Sequence, residues 1–118
     1  WCCSLGYSQP AIKRAISDQL ERLPYYNSFF NCSNDAAIEM ASALAEIMPG
    51  DLKHIFFTNS GSEANDTNIR LVHRYFDAIG KPAKKNIIGR HNGYHGSTIA
   101  AASLGGMGYM HEQFIGLT

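Results

Sequence analysis

Residues 54–66 read HIFFTNSGSEAND, and the fold turns on how this stretch divides. Its first half is strand-like: Ile55, Phe56, Phe57 and Thr58 are the aromatic and β-branched types that suit a pleated, buried surface. Asn59-Ser60-Gly61-Ser62 interrupts that run with small polar residues. Behind it, Glu63 to Ile79 places Ile69, Val72, Tyr75, Phe76 and Ile79 along one side of a helix, with Gly80 beyond its end. A strand over His54–Thr58 therefore passes straight into a helix.

Working outward, Asn86 to Arg90 is a second short strand. Strand, helix, strand implies a right-handed crossover and a parallel pair, the α/β class. Upstream, Ser8-Gln9-Pro10 offers a cap candidate and a first-turn proline for a helix bearing Ile12, Ala15, Ile16, Leu20 and Leu23, which Pro24 stops. Residues 24–34 lack a clear period and read as an ordered loop. Ser33-Asn34-Asp35 caps a helix with Ala37, Ile38, Ala41, Leu44, Ala45 and Met48 on its apolar face, ended by Pro49-Gly50. Downstream, Ser97 caps a helix rich in small residues. Parallel sheets are normally covered on both faces and carry more than two strands. The remaining strands are expected outside this chain. A start on Trp1 and a stop at Thr118 without a helix-ending signal lead to the same expectation, a section of something longer.

With 118 residues, 45% of them hydrophobic, the chain can bury a core. Ten basic residues balance ten acidic ones, so no long-range field favours a nucleic-acid or membrane partner. No apolar run approaches the roughly 18 residues of a membrane span. Cys2, Cys3 and Cys32 cannot all pair internally, which suits a reducing cytoplasm.

Ser60-Gly61-Ser62-Glu63 supports two readings. As Ser-x-x-Glu it is a capping box, in which the Ser60 hydroxyl accepts from the Glu63 N–H and the carboxylate reaches back. It also stands at the carboxyl end of a parallel strand, where ligands of open α/β sheets bind. There the free N–H groups of a first turn, a glycine that admits close approach and two hydroxyls would cradle a phosphate. Neither the dinucleotide fingerprint nor the Walker lysine pattern is present, which leaves a single phosphate on a small cofactor. The loop Arg90-His91-Asn92-Gly93-Tyr94-His95-Gly96-Ser97-Thr98 follows the second strand at the same edge. Tyr94, with glycines at 93 and 96, is either ordinary packing or a flat platform for a heteroaromatic ring. His91 and His95 stand four apart, but Gly93 breaks the helix that would align them on a metal, and no acidic or cysteine ligand is near. No Gly-x-Ser-x-Gly elbow occurs, so a hydrolase nucleophile has no support.

NSGSEAND at 59–66 and HNGYHGST at 91–98, with LPYYNSFF at 23–30 and SLGGMGYMHEQ at 103–113, closely resemble the class III pyridoxal-phosphate-dependent aminotransferases, most of all the ω-amino acid or amine:pyruvate branch. The resemblance covers essentially the whole chain. It implies a partial transferase domain over 1–118 of fold type I, a three-layer α/β/α arrangement around a mainly parallel sheet. Residues 1–34 would form an N-terminal helix and a substrate-pocket and interface loop, and 35–118 the start of the large cofactor-binding domain. The cofactor implied is pyridoxal 5'-phosphate, its phosphate held by Ser60, Gly61 and Ser62, its ring stacked on Tyr94 with His95 close behind. Trp1 and Phe29 match aromatic positions of the substrate pocket. The resemblance also implies transfer from an amine or ω-amino acid to a keto acid such as pyruvate, in a homodimer. The lysine that carries the cofactor lies downstream in the family, so this stretch is expected to hold no catalytic residue and to be inactive alone. The alternatives are a stand-alone flavodoxin-like phosphate-binding module and a non-catalytic interaction chain.

Overall fold

The computed structural model describes residues 3–113, which divide along the sequence into two compact units between Ile55 and Phe56.

In the first unit, α1 spans Pro10–Arg22 and α2 spans Asp35–Ile47. Pro10 occupies the first turn of α1, where its missing N–H needs no partner. The expected side-chain cap is not made. Ser8 sits in a left-handed turn at φ 57°, and the Gln9 side-chain amide turns back to the Leu5 carbonyl. At the far end the Leu23 N–H bonds the Gln19 carbonyl, just before Pro24 forbids another turn. Asn34 caps α2, its Oδ1 accepting from the Ala37 N–H at 2.9 Å. An Arg22–Asp35 ion pair links the end of one helix to the start of the next. Between them the Phe29 N–H bonds the Asn27 side chain, and Phe30 and Asn31 both adopt left-handed backbone.

In the second unit, α3 runs over Gly61–Ala78, α4 over Ile99–Leu104 and α5 over Gly108–His111. The end of α3 is a Schellman motif: Gly80, at φ 72°, donates to Asp77, and Lys81 donates to Phe76. Ala101 and Ala102 of α4 are the fully buried centre, flanked by buried Gly96 and Gly105. Small residues are required there because backbones approach closely. A Cβ on Gly89 would fall 2.2 Å from the Leu104 carbonyl oxygen, and one on Gly106 2.1 Å from that of Arg90. Asn92 and Gly106, and Gly106 and Gly93, are joined by backbone hydrogen bonds of 2.9 Å, so the two glycine-rich loops brace each other.

Three sequence expectations come out differently here. The parallel pair is unconfirmed: among the described residues there is no strand ladder, and Phe56–Thr58 and Asn86–Arg90 run unpaired outside the helices. A crossover helix also links strands that are not neighbours in a sheet. Without partners these apolar runs stay uncovered, Phe56 at 73% exposed and Ile88 at 94%. Second, Thr98 rather than Ser97 caps α4, because Ser97 is committed elsewhere. Third, Val72, Tyr75 and Ile79 do not form the packed side of α3, all three remaining exposed. The side that meets the rest of the unit carries Ser62, Asn65, Asp66, Ile69, His73 and Phe76, a stripe with helical spacing but mostly polar membership.

Candidate functional site

The first turn of α3 makes one arm of the capping box, and the returning carboxylate reaches one residue past the cap. Ser60 Oγ accepts from the Glu63 N–H at 3.2 Å, and Glu63 Oε2 reaches back to accept from the Asn59 N–H at 2.9 Å. Thr58 Oγ1 donates to the Ser60 carbonyl and braces the entry. These contacts leave other donors unused. Among the described residues, the Gly61 and Ser62 N–H groups have no acceptor. A Cβ built on Gly61 would meet nothing within 4 Å, so the corner is open to a close approach.

The Tyr94 loop lies against this same turn. The Ser97 N–H donates to Ser62 Oγ at 3.0 Å, and the Tyr94 hydroxyl bonds Ser97 Oγ at 3.0 Å. Asn65 Nδ2 donates to the His95 carbonyl at 2.5 Å, and Thr98 Oγ1 donates to the Asp66 carboxylate at 2.7 Å. Three side chains at i, i+3 and i+4 on α3 thus grip three residues of the loop. Gly96 makes the grip possible. It sits at φ 138°, and a Cβ there would fall 2.5 Å from Ser62 Oγ and 2.7 Å from the Ala101 Cβ. Because Ser62 Oγ accepts from Ser97, its own proton remains free to donate outward. The corner therefore presents two amide protons and a hydroxyl proton, with a half-exposed aromatic ring joined to it through one residue.

Of the residues singled out in the sequence, Ser60, Gly61, Ser62, Tyr94 and His95 are brought to one corner. His95 enters through its backbone carbonyl, while its ring lies over Gly93, Nε2 being 3.2 Å from where a Cβ would sit. Phe29, 72% exposed, belongs to the first unit, and Trp1 lies outside the described residues. Sequence reasoning missed Asn65, Asp66, Ser97 and Thr98. Their signal was available, since Asn65 and Asp66 stand one helical turn after Ser62. A separate cavity of 440 Å³, lined by Ile69, His73, Lys85, Ile87, Ala100 and Leu104, opens along the middle of α3, away from the corner.

The family model of the class III aminotransferases matches residues 1–118. The chain belongs to that family. It is 49% identical over 113 residues to the putrescine–pyruvate aminotransferase of Pseudomonas aeruginosa, covering 96% of this chain and 25% of that protein. It is 43% identical over 115 residues to the mitochondrial γ-aminobutyrate transaminase 1 of Oryza sativa subsp. indica, covering 97% of this chain and 22% of the relative. Among solved structures, the ω-transaminase from Pseudomonas jessenii in complex with PMP superposes with a TM-score of 0.90 at 45% identity, over 95% of this chain and 25% of that one. The chain thus spans about a quarter of the length of the class III aminotransferases it matches.

Proposed function

We propose that this chain is the cofactor-phosphate and ring-platform portion of a pyridoxal-phosphate-dependent aminotransferase that moves an amino group from an amine or ω-amino acid to a keto acid such as pyruvate. The observation that carries the reading is the joining of the open Gly61–Ser62 corner to Tyr94 through Ser97. A phosphate monoester needs several donors and room for the backbone to approach, and an aromatic ring beside it needs a flat face. This corner has both. When bound, pyridoxal 5'-phosphate supplies the electron sink and the carbonyl carbon that such transfer needs.

The residues of this chain would hold that group and orient it. The Gly61 and Ser62 N–H groups and the Ser62 hydroxyl donate to the phosphate, aided by the positive end of an eighteen-residue helix. Ser60 acts through the helix start that it caps. Tyr94 offers its ring face and shields one side from water, and His95 holds the loop to Asn65. The lysines suit this division of labour. Lys85 Nζ is bound to the His73 carbonyl and to Asp77, and Lys84 Nζ lies 5.0 Å from the Phe76 ring centroid. Both are engaged at the C-terminal half of α3, which is about 27 Å long from end to end. In keeping with the family resemblance, the lysine that carries the cofactor is sought elsewhere in the complete protein. The same proposal includes completion of a three-layer α/β/α sheet around the uncovered 56–58 and 86–90 segments, and a cytoplasmic homodimer.

One relative is named for putrescine and pyruvate and another for γ-aminobutyrate, which supports an amine or ω-amino acid as donor. To test the proposal, the complete gene product is purified and assayed with pyruvate and a panel of diamines and ω-amino acids. Alanine formation and a bound coenzyme are expected. A protein that binds no pyridoxal phosphate and forms no alanine with any donor would overturn the reading.

A further inference from the structure

We propose that Ser97 is a positioning residue that sets the plane of the Tyr94 ring and takes its own position from Ser62. The inference rests on the reading of Tyr94 as the cofactor platform. Tyr94 is 59% exposed, with Gly93 on one side and Gly96 two residues on, so its neighbours along the chain do little to confine it. A phenol ring on two rotatable bonds would otherwise sweep through several orientations. Among the described residues its recorded polar contact is the 3.0 Å bond between its hydroxyl and Ser97 Oγ.

Ser97 is itself held. Its N–H donates to Ser62 Oγ at 3.0 Å across thirty-five positions. Gly96 before it packs so tightly on Ser62 that no Cβ fits between them. Asp66 and Asn65 hold Thr98 and His95 on either side. The backbone of Ser97 is thus tied to the first turn of α3, and its side chain transmits that constraint to the tip of the ring. The device fixes the distance and tilt between the anion corner and the aromatic face, the two features that a phosphorylated ring must meet at once. Preorganising them removes an ordering cost from binding.

The test uses the complete protein loaded with pyridoxal 5'-phosphate. Ser97→Ala removes only Oγ and keeps the N–H bond to Ser62. The dissociation constant of the coenzyme is expected to rise about three- to tenfold, the fold-change of one ordinary hydrogen bond. The circular dichroism band of the bound coenzyme should weaken, and the melting temperature of the coenzyme-free protein should hold. Tyr94→Phe, which keeps the ring but removes the hydroxyl, should reproduce both changes. The double variant should add nothing to either single one, and Ser97→Thr should restore the band. Fully additive losses, or a Ser97→Ala protein with wild-type affinity and dichroism, would overturn the positioning role. If Tyr94→Ala also binds as the wild type does, the platform reading falls with it; if Tyr94→Ala alone loses binding, only the role of Ser97 is rejected.

Discussion

The Asp66 carboxylate accepts the Thr98 hydroxyl proton at 2.7 Å across thirty-two positions, and the same Thr98 oxygen accepts from the Ala101 N–H at 3.4 Å. One hydroxyl thereby fastens the Tyr94 loop to α3 and starts α4. Its single proton suffices, because it donates in one direction and accepts in the other.

Asp66→Ala should accordingly destabilise the complete protein by about 1.5–3 kcal/mol, the range for a hydrogen bond to a charged group. Asp66→Asn keeps an acceptor and should lose less. Urea unfolding midpoints measure both. An alanine variant within about 0.5 kcal/mol of wild type, as an ordinary surface change would be, contradicts the assignment.

Ser60 separates the capping reading from the anion reading. Ser60→Ala should cost about 1 kcal/mol of stability through the lost cap, whereas Ser60→Asp caps equally well and suits the helix dipole. The aspartate also brings a negative charge to the Gly61–Ser62 corner, so that variant should keep its unfolding midpoint yet bind pyridoxal phosphate more weakly. Undiminished coenzyme affinity in Ser60→Asp, measured by fluorescence titration, would place the phosphate elsewhere.

Two glycines should respond in opposite ways. Gly96→Ala meets Ser62 and the Ala101 Cβ inside contact distance and imposes a strained backbone, so a loss beyond about 3 kcal/mol or insoluble protein is expected. Gly61→Ala meets nothing and lies in a helix, so its stability should stay within about 0.5 kcal/mol of wild type, or rise. Its methyl group nonetheless enters the open corner, and coenzyme affinity should fall. Thermal melts and titration of the two purified variants decide the matter.

Lys85 ties the C-terminal half of α3 to the segment after it, through the His73 carbonyl and Asp77, while the Lys85 carbonyl bonds His73 Nε2. The ion pair is more than one-third exposed and thus screened. Lys85→Met should cost only about 1 kcal/mol, mostly from the lost bond to the His73 carbonyl, with little dependence on added salt. Transamination by the complete protein should survive the change. Loss of turnover with an intact fold would give Lys85 a role at the reacting centre.

Borohydride reduction of the loaded complete protein, followed by peptide mapping, should place the coenzyme on a lysine other than Lys13, Lys53, Lys81, Lys84 or Lys85. A label on any of those five would overturn the proposed division of labour.

The local elements were legible in the sequence because their signals act over a few residues. The Ser60–Glu63 capping box, the Asn34 cap, the Pro10 start and the Gly80 stop each depend on hydrogen bonds and dihedral preferences within one or two turns. The open corner at Gly61 followed from the helix start, whereas the nearness of Tyr94 was expected from a shared sheet edge and is made in the structure by the Ser62–Ser97 contact instead. The grip between α3 and the loop was not legible, although Asn65 and Asp66 were in plain view. Their partners at His95 and Thr98 lie about thirty residues away, and hydrogen bonds between polar side chains and a distant loop leave no periodic trace. Apolar periodicity pointed to Val72, Tyr75 and Ile79, yet the chain packs α3 through Ser62, Asn65, Asp66, Ile69 and His73. Strand-like composition at Ile55–Thr58 and Asn86–Arg90 likewise states a local preference, whereas a ladder requires a neighbouring strand in register. What the amino-acid order determined is where helices begin and end and which groups wait at their ends. Which of those groups meet was decided by tertiary structure, since only folding brings the Ser62 hydroxyl to the Ser97 amide.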